Sequence, residues 1–263
     1  MRRGLLFAAL FVASSCGESR GTLVTTGAPG VWRPAASDSW QVQLSGALDT
    51  SLDVAVYDID LDTPAATLDG LRAAGRRIIC YVSVGTDEPW RADASSFPPA
   101  AVGQALAGYP DERWVDTRDA TVRSIMTARL EAAAAKGCDG VDLSSVSPAG
   151  ADTGFPLTRA DALDYARFLA AQAHARSLGA GLGGGNDIAA DAQPDMEWAF
   201  AETCLASGTC GAYSAFVAVH KAVFGVAYGT AADVPTVCPP ARQAGLDALI
   251  KNRSLDAFRV PCP

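Results

Sequence analysis

Histidine is nearly missing from this 263-residue chain, which has only His174 and His220. Neither lies near a cysteine cluster with zinc-ligand spacing, and there is no CxxC pair, so a metal site is not expected. Basic charge is also scarce. Lys and Arg number 21 against 29 Asp and Glu, for a net charge of -8, which speaks against nucleic acid as a partner. No internal apolar run reaches the roughly 18 residues that a membrane-spanning helix needs, so the body is expected to be soluble. The glycine run from Gly179 to Gly185 lacks the GxGxxG spacing of a dinucleotide loop, and no cofactor is expected.

The start of the chain is unlike the rest. Arg2 and Arg3 precede the apolar stretch Leu5 to Val12, and the small residues Ala13-Ser14-Ser15 then lead into Cys16, which is the order of a secretory signal. A cysteine at that point resembles a bacterial lipobox. Residues 1–15 are therefore read as a lipoprotein signal peptide, Cys16 as the acylated new N-terminus, and residues 16–30 as a flexible tether. The alternative is ordinary cleavage with Cys16 left free. Six further cysteines, Cys80, Cys138, Cys204, Cys210, Cys238 and Cys262, form an even set that suits disulfides in an oxidising compartment. Export to the cell envelope is the expectation.

Residues 31–263 are read as one domain, since 49% hydrophobic and 19% charged residues are ordinary globular values. Short runs rich in Val, Ile, Ala, Tyr and Trp recur, each followed by a stretch with helical spacing, which predicts repeated β-α units. Strands are expected at Trp40 to Gly46, Val54 to Asp60, Arg77 to Gly85, Gly140 to Ser145, Ala180 to Gly185, Trp198 to Thr203, Lys221 to Gly229 and Ala257 to Val260. Helices are expected at Pro64 to Ala74, Arg118 to Lys136, Thr158 to Leu178, Cys210 to His220 and Pro239 to Asn252, with Gly75 and Gly137 as helix stops. Length and alternation favour an α/β fold of the (β/α)8, TIM-like barrel type over an open doubly wound sheet. Of the 15 pairings that six cysteines allow, proximity in that fold selects Cys80 with Cys138, Cys204 with Cys210, and Cys238 with Cys262.

Barrel chemistry gathers at the C-terminal ends of the strands. Those ends carry Gln43, Asp58, Asp60, Ser83, Asp142, Glu202 and Tyr228, with Asp87, Glu88 and Arg91 just beyond the third strand. A carboxylate-rich rim is what glycoside hydrolysis needs: one acid protonates the leaving oxygen, and the other attacks the anomeric carbon or activates water.

Several segments in order then resemble one family. They include Trp40-Gln41-Val42-Gln43, Tyr57-Asp58-Ile59-Asp60, Cys80-Tyr81, Trp90-Arg91-Ala92-Asp93, Asp111-Glu112-Arg113-Trp114-Val115-Asp116, Gly137-Cys138-Asp139-Gly140-Val141, Gly154-Phe155-Pro156-Leu157-Thr158 and Glu202-Thr203-Cys204. The chain from about Val31 resembles the endo-alpha-1,4-polygalactosaminidases, glycoside hydrolase family 114. The resemblance implies a TIM-like barrel, hydrolysis of galactosamine-containing polysaccharide outside the cell, and an acidic pair on strands four and six, here Asp142 and Glu202. Gln43, Asp58, Asp60, Tyr81, Glu88, Arg91, Asn186 and Tyr228 are the expected substrate contacts. The chain is expected to be monomeric, with polysaccharide as its partner and the membrane reached only through lipid on Cys16.

The chain also departs from the family. After strand four the family reads acid-Pro-Asp-Asn-Val-Asp, whereas this chain has Asp142-Leu143-Ser144-Ser145-Val146-Ser147. If the catalytic acid is the first of these, Asp142 keeps it; if it is the second, Ser144 has removed it. On strand five the usual Gly-Leu-Lys-Asn becomes Gly181-Leu182-Gly183-Gly184-Gly185-Asn186, and before Tyr228 an acid is replaced by Ala227. Two readings stay open, an active hydrolase and a lipid-anchored carbohydrate-binding pseudoenzyme. His174, set among alanines and leucines, and Lys221, at the start of strand seven, are read as structural. Trp90, Trp114, Tyr81 and Tyr228 are candidates for sugar-stacking platforms.

Overall fold

The computed structural model describes residues 30–202 and 204–263 together with Met1. The expected signal segment, Cys16 and the tether up to residue 29 lie outside the described residues, as does Thr203.

Among the described residues, twelve strands run in chain order: β1 (Trp40–Gln43), β2 (Val56–Asp60), β3 (Arg77–Ser83), β4 (Thr86–Asp87), β5 (Val102–Leu106), β6 (Tyr109–Val115), β7 (Gly140–Ser144), β8 (Gly179–Gly183), β9 (Trp198–Glu202), β10 (Val223–Tyr228), β11 (Asp247–Lys251) and β12 (Val260–Pro261). The main sheet has the order β1-β2-β3-β7-β8-β9-β10-β11-β12. Its first eight strands pair parallel, and β12 lies antiparallel on β11. The sheet curls into a TIM-like barrel, as the alternation of elements predicts.

Helices α1 (Ala65–Ala73), α2 (Ala120–Lys136) and α3 (Arg159–His174) cover the outer face. Their Leu68, Leu71, Met126, Leu130, Tyr165 and Leu169 pack on Ile78, Val82, Val141, Leu143 and Leu182. Local sequence fixes their ends. The Asp119 carboxylate accepts from the Thr121 and Val122 N–H groups at the start of α2, and Gly137, at φ 77°, ends it in the left-handed conformation a side chain disfavours. Thr158 and Asp161 form a capping box that opens α3.

Inside the ring, Trp40, Val42, Val56, Ile79, Trp198, Phe200, Phe224, Val226 and Leu249 form a second core. Trp40 stacks on Phe224 with ring centroids 4.6 Å apart. Here the glycine run finds its physical reason. A Cβ on Gly181 would lie 2.1 Å from Trp198 Nε1, so β8 must be bare on its inner face for the Trp198 indole to fill the barrel.

The ring closes through the C-terminal segment, because β1 and β11 do not pair. Leu44 and Ser45 N–H donate to Leu255 O, Arg259 Nε donates to Trp40 O, and Lys251 Nζ donates to Gln41 Oε1 at 3.1 Å and Asp256 O at 2.7 Å. Burial pulls the Lys251 ammonium down to about 8.

Three expectations need correction. The eighth parallel strand is Asp247–Lys251, inside the stretch read as the end of a helix, and the helix itself is α4 (Val234–Gln243). The segment expected as strand eight contributes only the start of the short antiparallel β12. The antiparallel sheet β4-β6-β5, inserted between β3 and α2, has no counterpart in the sequence reading. The six cysteines form the disulfides Cys80–Cys138, Cys204–Cys210 and Cys238–Cys262.

Candidate active site

Register brings the polar strand ends together. Asp60 pairs with Tyr81, Tyr81 with Asp142, and Asp142 with Gly181, so the four share one layer at the top of the barrel. Above them opens a cavity of about 370 Å³ whose lining includes Asp60, Tyr81, Glu88, Asp142 and Glu202. The walls also include Trp90, Leu106, Tyr109 and Glu112 from the inserted sheet and its approach, with Arg253 and Leu255 from the C-terminal segment. The two carboxylates expected as a pair therefore face one hollow.

Asp142 is 2% exposed, and its Oδ1 has no hydrogen-bond partner. Burial first, and the negative charge of Glu202 second, push its carboxyl up to about 8. Its Oδ1 would lie 2.4 Å from a Cβ on Gly183, so the carboxylate occupies space that the usual lysine of strand five would enter. Glu202 is half-buried and accepts a hydrogen bond from the Tyr228 hydroxyl on Oε1. The Arg253 guanidinium lies 5.0 Å from the Tyr228 ring. Burial, followed by the charge of Glu202, drives the Tyr228 phenol far above its ordinary range, so it remains a donor.

Arg91 organises the wall beneath Trp90. Its guanidinium donates to Asp60 Oδ1 at 2.6 Å, Asp60 Oδ2 at 2.7 Å and Glu88 Oε2 at 2.8 Å. Burial opposes its charge, but the hydrogen bonds to Asp60 and Glu88 outweigh burial and hold the cation more firmly than usual. Arg129 reinforces the wall with two 2.9 Å bonds to Asp93. The role of Arg91 is thus to fix Asp60 and Glu88, and it lines a smaller neighbouring cavity of about 190 Å³.

Other expected contacts lie elsewhere. Gln43 is buried and binds the loop after β1, donating to Ser45 O and Ala47 O and accepting from Asp49 N–H. Asn186 is not among the residues lining the cavity, and Asp58 lies beneath its floor. Of the serines in family acid or asparagine positions, Ser144 and Ser145 line the cavity, while Ser147 Oγ donates to Asp187 Oδ2 at 3.0 Å. Ser145 has φ 59°, the left-handed region that asparagine tolerates better than serine. Trp114 is buried, whereas Trp90 is 58% and Tyr109 44% exposed. His174 and Lys221 are structural: His174 Nε2 pairs with Glu197 Oε2 at 2.9 Å, and Lys221 Nζ donates to Gln193 O at 2.7 Å.

Sequence reasoning missed Tyr109, Glu112 and Arg253. Glu112 is 8% exposed and accepts from Thr86 Oγ1 at 2.9 Å, and burial raises its carboxyl. The run Tyr109 to Val115 has little apolar alternation, so no local signal marked it as a strand.

A barrel whose strand ends surround a hollow with carboxylates is the architecture of the barrel glycoside hydrolases. The chain belongs to glycoside-hydrolase family GH114, which it matches over residues 21–263. It is similar to Ega3 of Aspergillus fumigatus, solved in complex with galactosamine: identity is 38%, TM-score 0.84, and coverage 88% of this chain and 97% of that one. The glycoside hydrolase domain of PelA from Pseudomonas aeruginosa shares the fold at 16% identity and TM-score 0.66, covering 84% and 97% of the two chains. No curated protein matches the chain.

Proposed function

We propose that the chain is an exported endo-acting glycoside hydrolase that cleaves alpha-1,4-linked, galactosamine-containing polysaccharide, with Asp142 and Glu202 as its carboxylate pair. The observation that carries this reading is the shared cavity: the two acids line one hollow, and the charge of Glu202 acts on Asp142. Like charges so coupled favour one proton over the pair; burial favours holding it on Asp142, and a cationic amino sugar seated beside Asp142 would favour its transfer to Glu202, the state that acid-assisted cleavage starts from. Glu202, half-exposed and held by Tyr228, can exchange protons with water and is assigned as the acid/base. Asp142, on the floor, is assigned as its partner at the anomeric carbon.

The acidic lining suits a cationic amino sugar, since among the described residues Asp60, Glu88, Glu112, Asp142 and Glu202 line the cavity with Arg253 as its one basic side chain. The bound galactosamine of Ega3 agrees with this choice. Export is supported by three disulfides, which persist in oxidising compartments. Acylation of Cys16 would then anchor residues 31–263 through the tether, with the domain acting as a monomer.

The test is release of reducing ends from a deacetylated galactosamine polymer by the purified protein, measured from about pH 4 to 8. Release is expected. Saturable binding of the polymer without release at any pH would establish the pseudoenzyme instead, and recovery of activity in Ser144→Asp would show where it was lost.

A further inference from the structure

Among the described residues five acids line the cavity, and Arg91 neutralises two of them, Asp60 and Glu88. Asp142 and Glu202 carry the assigned chemistry, which leaves Glu112. It stands on the wall formed by the inserted sheet, is 8% exposed, and forms no ion pair among the described residues. Arg91 acts on it only through space, because its donors are taken by Asp60, Asp62 and Glu88. Arg253, the basic side chain of the lining, stands over the Tyr228 ring on the Glu202 side.

The Glu112 side chain is held in place. Thr86 Oγ1 donates to Glu112 Oε2 at 2.9 Å, and Ser83 Oγ lies 2.5 Å from Thr86 Oγ1, where it completes the chain as donor. Ser83 and Thr86 are fully buried, so this bracket does not compete with water. Glu112 Oε1 has no hydrogen-bond partner among the described residues and, unlike Asp142 Oδ1, is not sealed from solvent. Burial raises the Glu112 carboxyl, the Thr86 hydrogen bond opposes that rise, and the charge of Glu88 adds to it. A buried carboxylate with no cation beside it is unfavourable, and a cation seated on its open oxygen relieves it.

We propose that Glu112 is a specificity-determining residue: its open carboxylate oxygen receives the ammonium of a substrate amino sugar and selects the free amine over the N-acetyl form. The inference rests on reading the cavity as a polysaccharide site. An ammonium brings several donors and a full charge to Oε1, whereas an N-acetyl group brings a single N–H and no charge. Trp90 and Tyr109, which line the same cavity, offer ring faces to the sugar that carries the amine. A role confined to bracing the inserted sheet needs only an acceptor for Thr86, which the amide oxygen of glutamine supplies.

The experiment is a calorimetric titration with two alpha-1,4-linked galactosamine tetramers, one fully deacetylated and one fully N-acetylated, at about pH 6, where the amine is charged. Glu202→Gln serves as the non-cleaving parent, and Glu112→Gln is added to it. The parent is expected to bind the deacetylated tetramer at least about tenfold more tightly than the acetylated one. Glu112→Gln should weaken binding of the deacetylated tetramer about tenfold or more and leave that of the acetylated tetramer within about twofold. A preference unchanged by Glu112→Gln, or no preference in the parent, would overturn the proposal. Should Glu112→Gln not fold, Glu112→Met takes its place with the same readings. Turnover is read separately: a protein that cleaves no polymer, yet shows the preference and loses it in Glu112→Gln, would defeat the hydrolase reading and uphold the assignment of Glu112.

Discussion

At the scale of single residues, the site places charge where the fold least favours it. Burial and then the charge of Glu202 push the Asp142 carboxyl up to about 8 in the folded protein, whereas an unfolded aspartate titrates near about 3.9. A carboxyl raised by folding contributes stability that is full below the unfolded value and is lost as pH climbs through the folded one. Asp142→Asn is therefore predicted to raise the melting temperature at about pH 8, by the equivalent of about 1–3 kcal/mol, and to leave it nearly unchanged at about pH 4. The same variant should lower kcat by about 10³-fold or more. Gain of stability with loss of rate separates a functional carboxylate from a structural one, for which both would fall. Ser145 gives a second prediction, because its left-handed backbone lines the cavity. Ser145→Asn should stabilise the fold by about 0.5–1 kcal/mol in denaturant titration, while Ser145→Val should destabilise it.

At the scale of elements, the inserted antiparallel sheet and the disulfides shape what the barrel presents. Trp90 and Tyr109 are large, exposed apolar side chains on one cavity wall. Trp90→Ala and Tyr109→Ala are expected to raise KM for the polymer about tenfold each and to leave KM for a disaccharide nearly unchanged, as loss of remote ring stacking requires. The disulfides close loops of 58, 24 and 6 residues in sequence separation. Chain entropy predicts that removing them singly destabilises by about 4, 3 and 2 kcal/mol in that order. Denaturation of the paired alanine variants checks the order, and equal losses would contradict it. Cys238–Cys262 should be the one that also loosens the cavity, since it ties α4 to the segment that closes the ring and carries Arg253.

The barrel strands β2, β3, β7 and β9 were legible in the sequence because each is an apolar run ending in acid or serine, the pattern of a buried parallel strand whose tip meets solvent. The last strand was not. Asp247–Lys251 follows a helix interrupted by Pro239 and Pro240, and its own Ala-Leu-Ile core fits helical spacing as well as a strand. The inserted sheet was hidden for another reason: it is half-exposed, with weak alternation and register shifts that no local propensity reports. Glu112 and Tyr109 went unnoticed with it.

At the scale of the whole molecule, the geometry joins two halves of the chain at one point. Asp142 on β7 and Glu202 on β9 flank β8, with which both strands pair in parallel, so the pair is set by that strand, while closure of the ring brings Arg253 and Leu255 to the cavity wall. A glycine-lined β8 lets Trp198 fill the space between them, and a side chain on Gly183 would meet the Asp142 carboxylate. The most direct measurement compares Glu202→Gln and Asp142→Asn on two substrates, the natural polymer and a dinitrophenyl glycoside of a short galactosamine oligomer. The good leaving group of the second needs no proton. Glu202→Gln is predicted to lose about 10²–10⁴-fold on the polymer and to recover most of that rate on the activated glycoside, while Asp142→Asn stays inactive on both. Recovery in Asp142→Asn, or full polymer cleavage by either variant, would contradict the account.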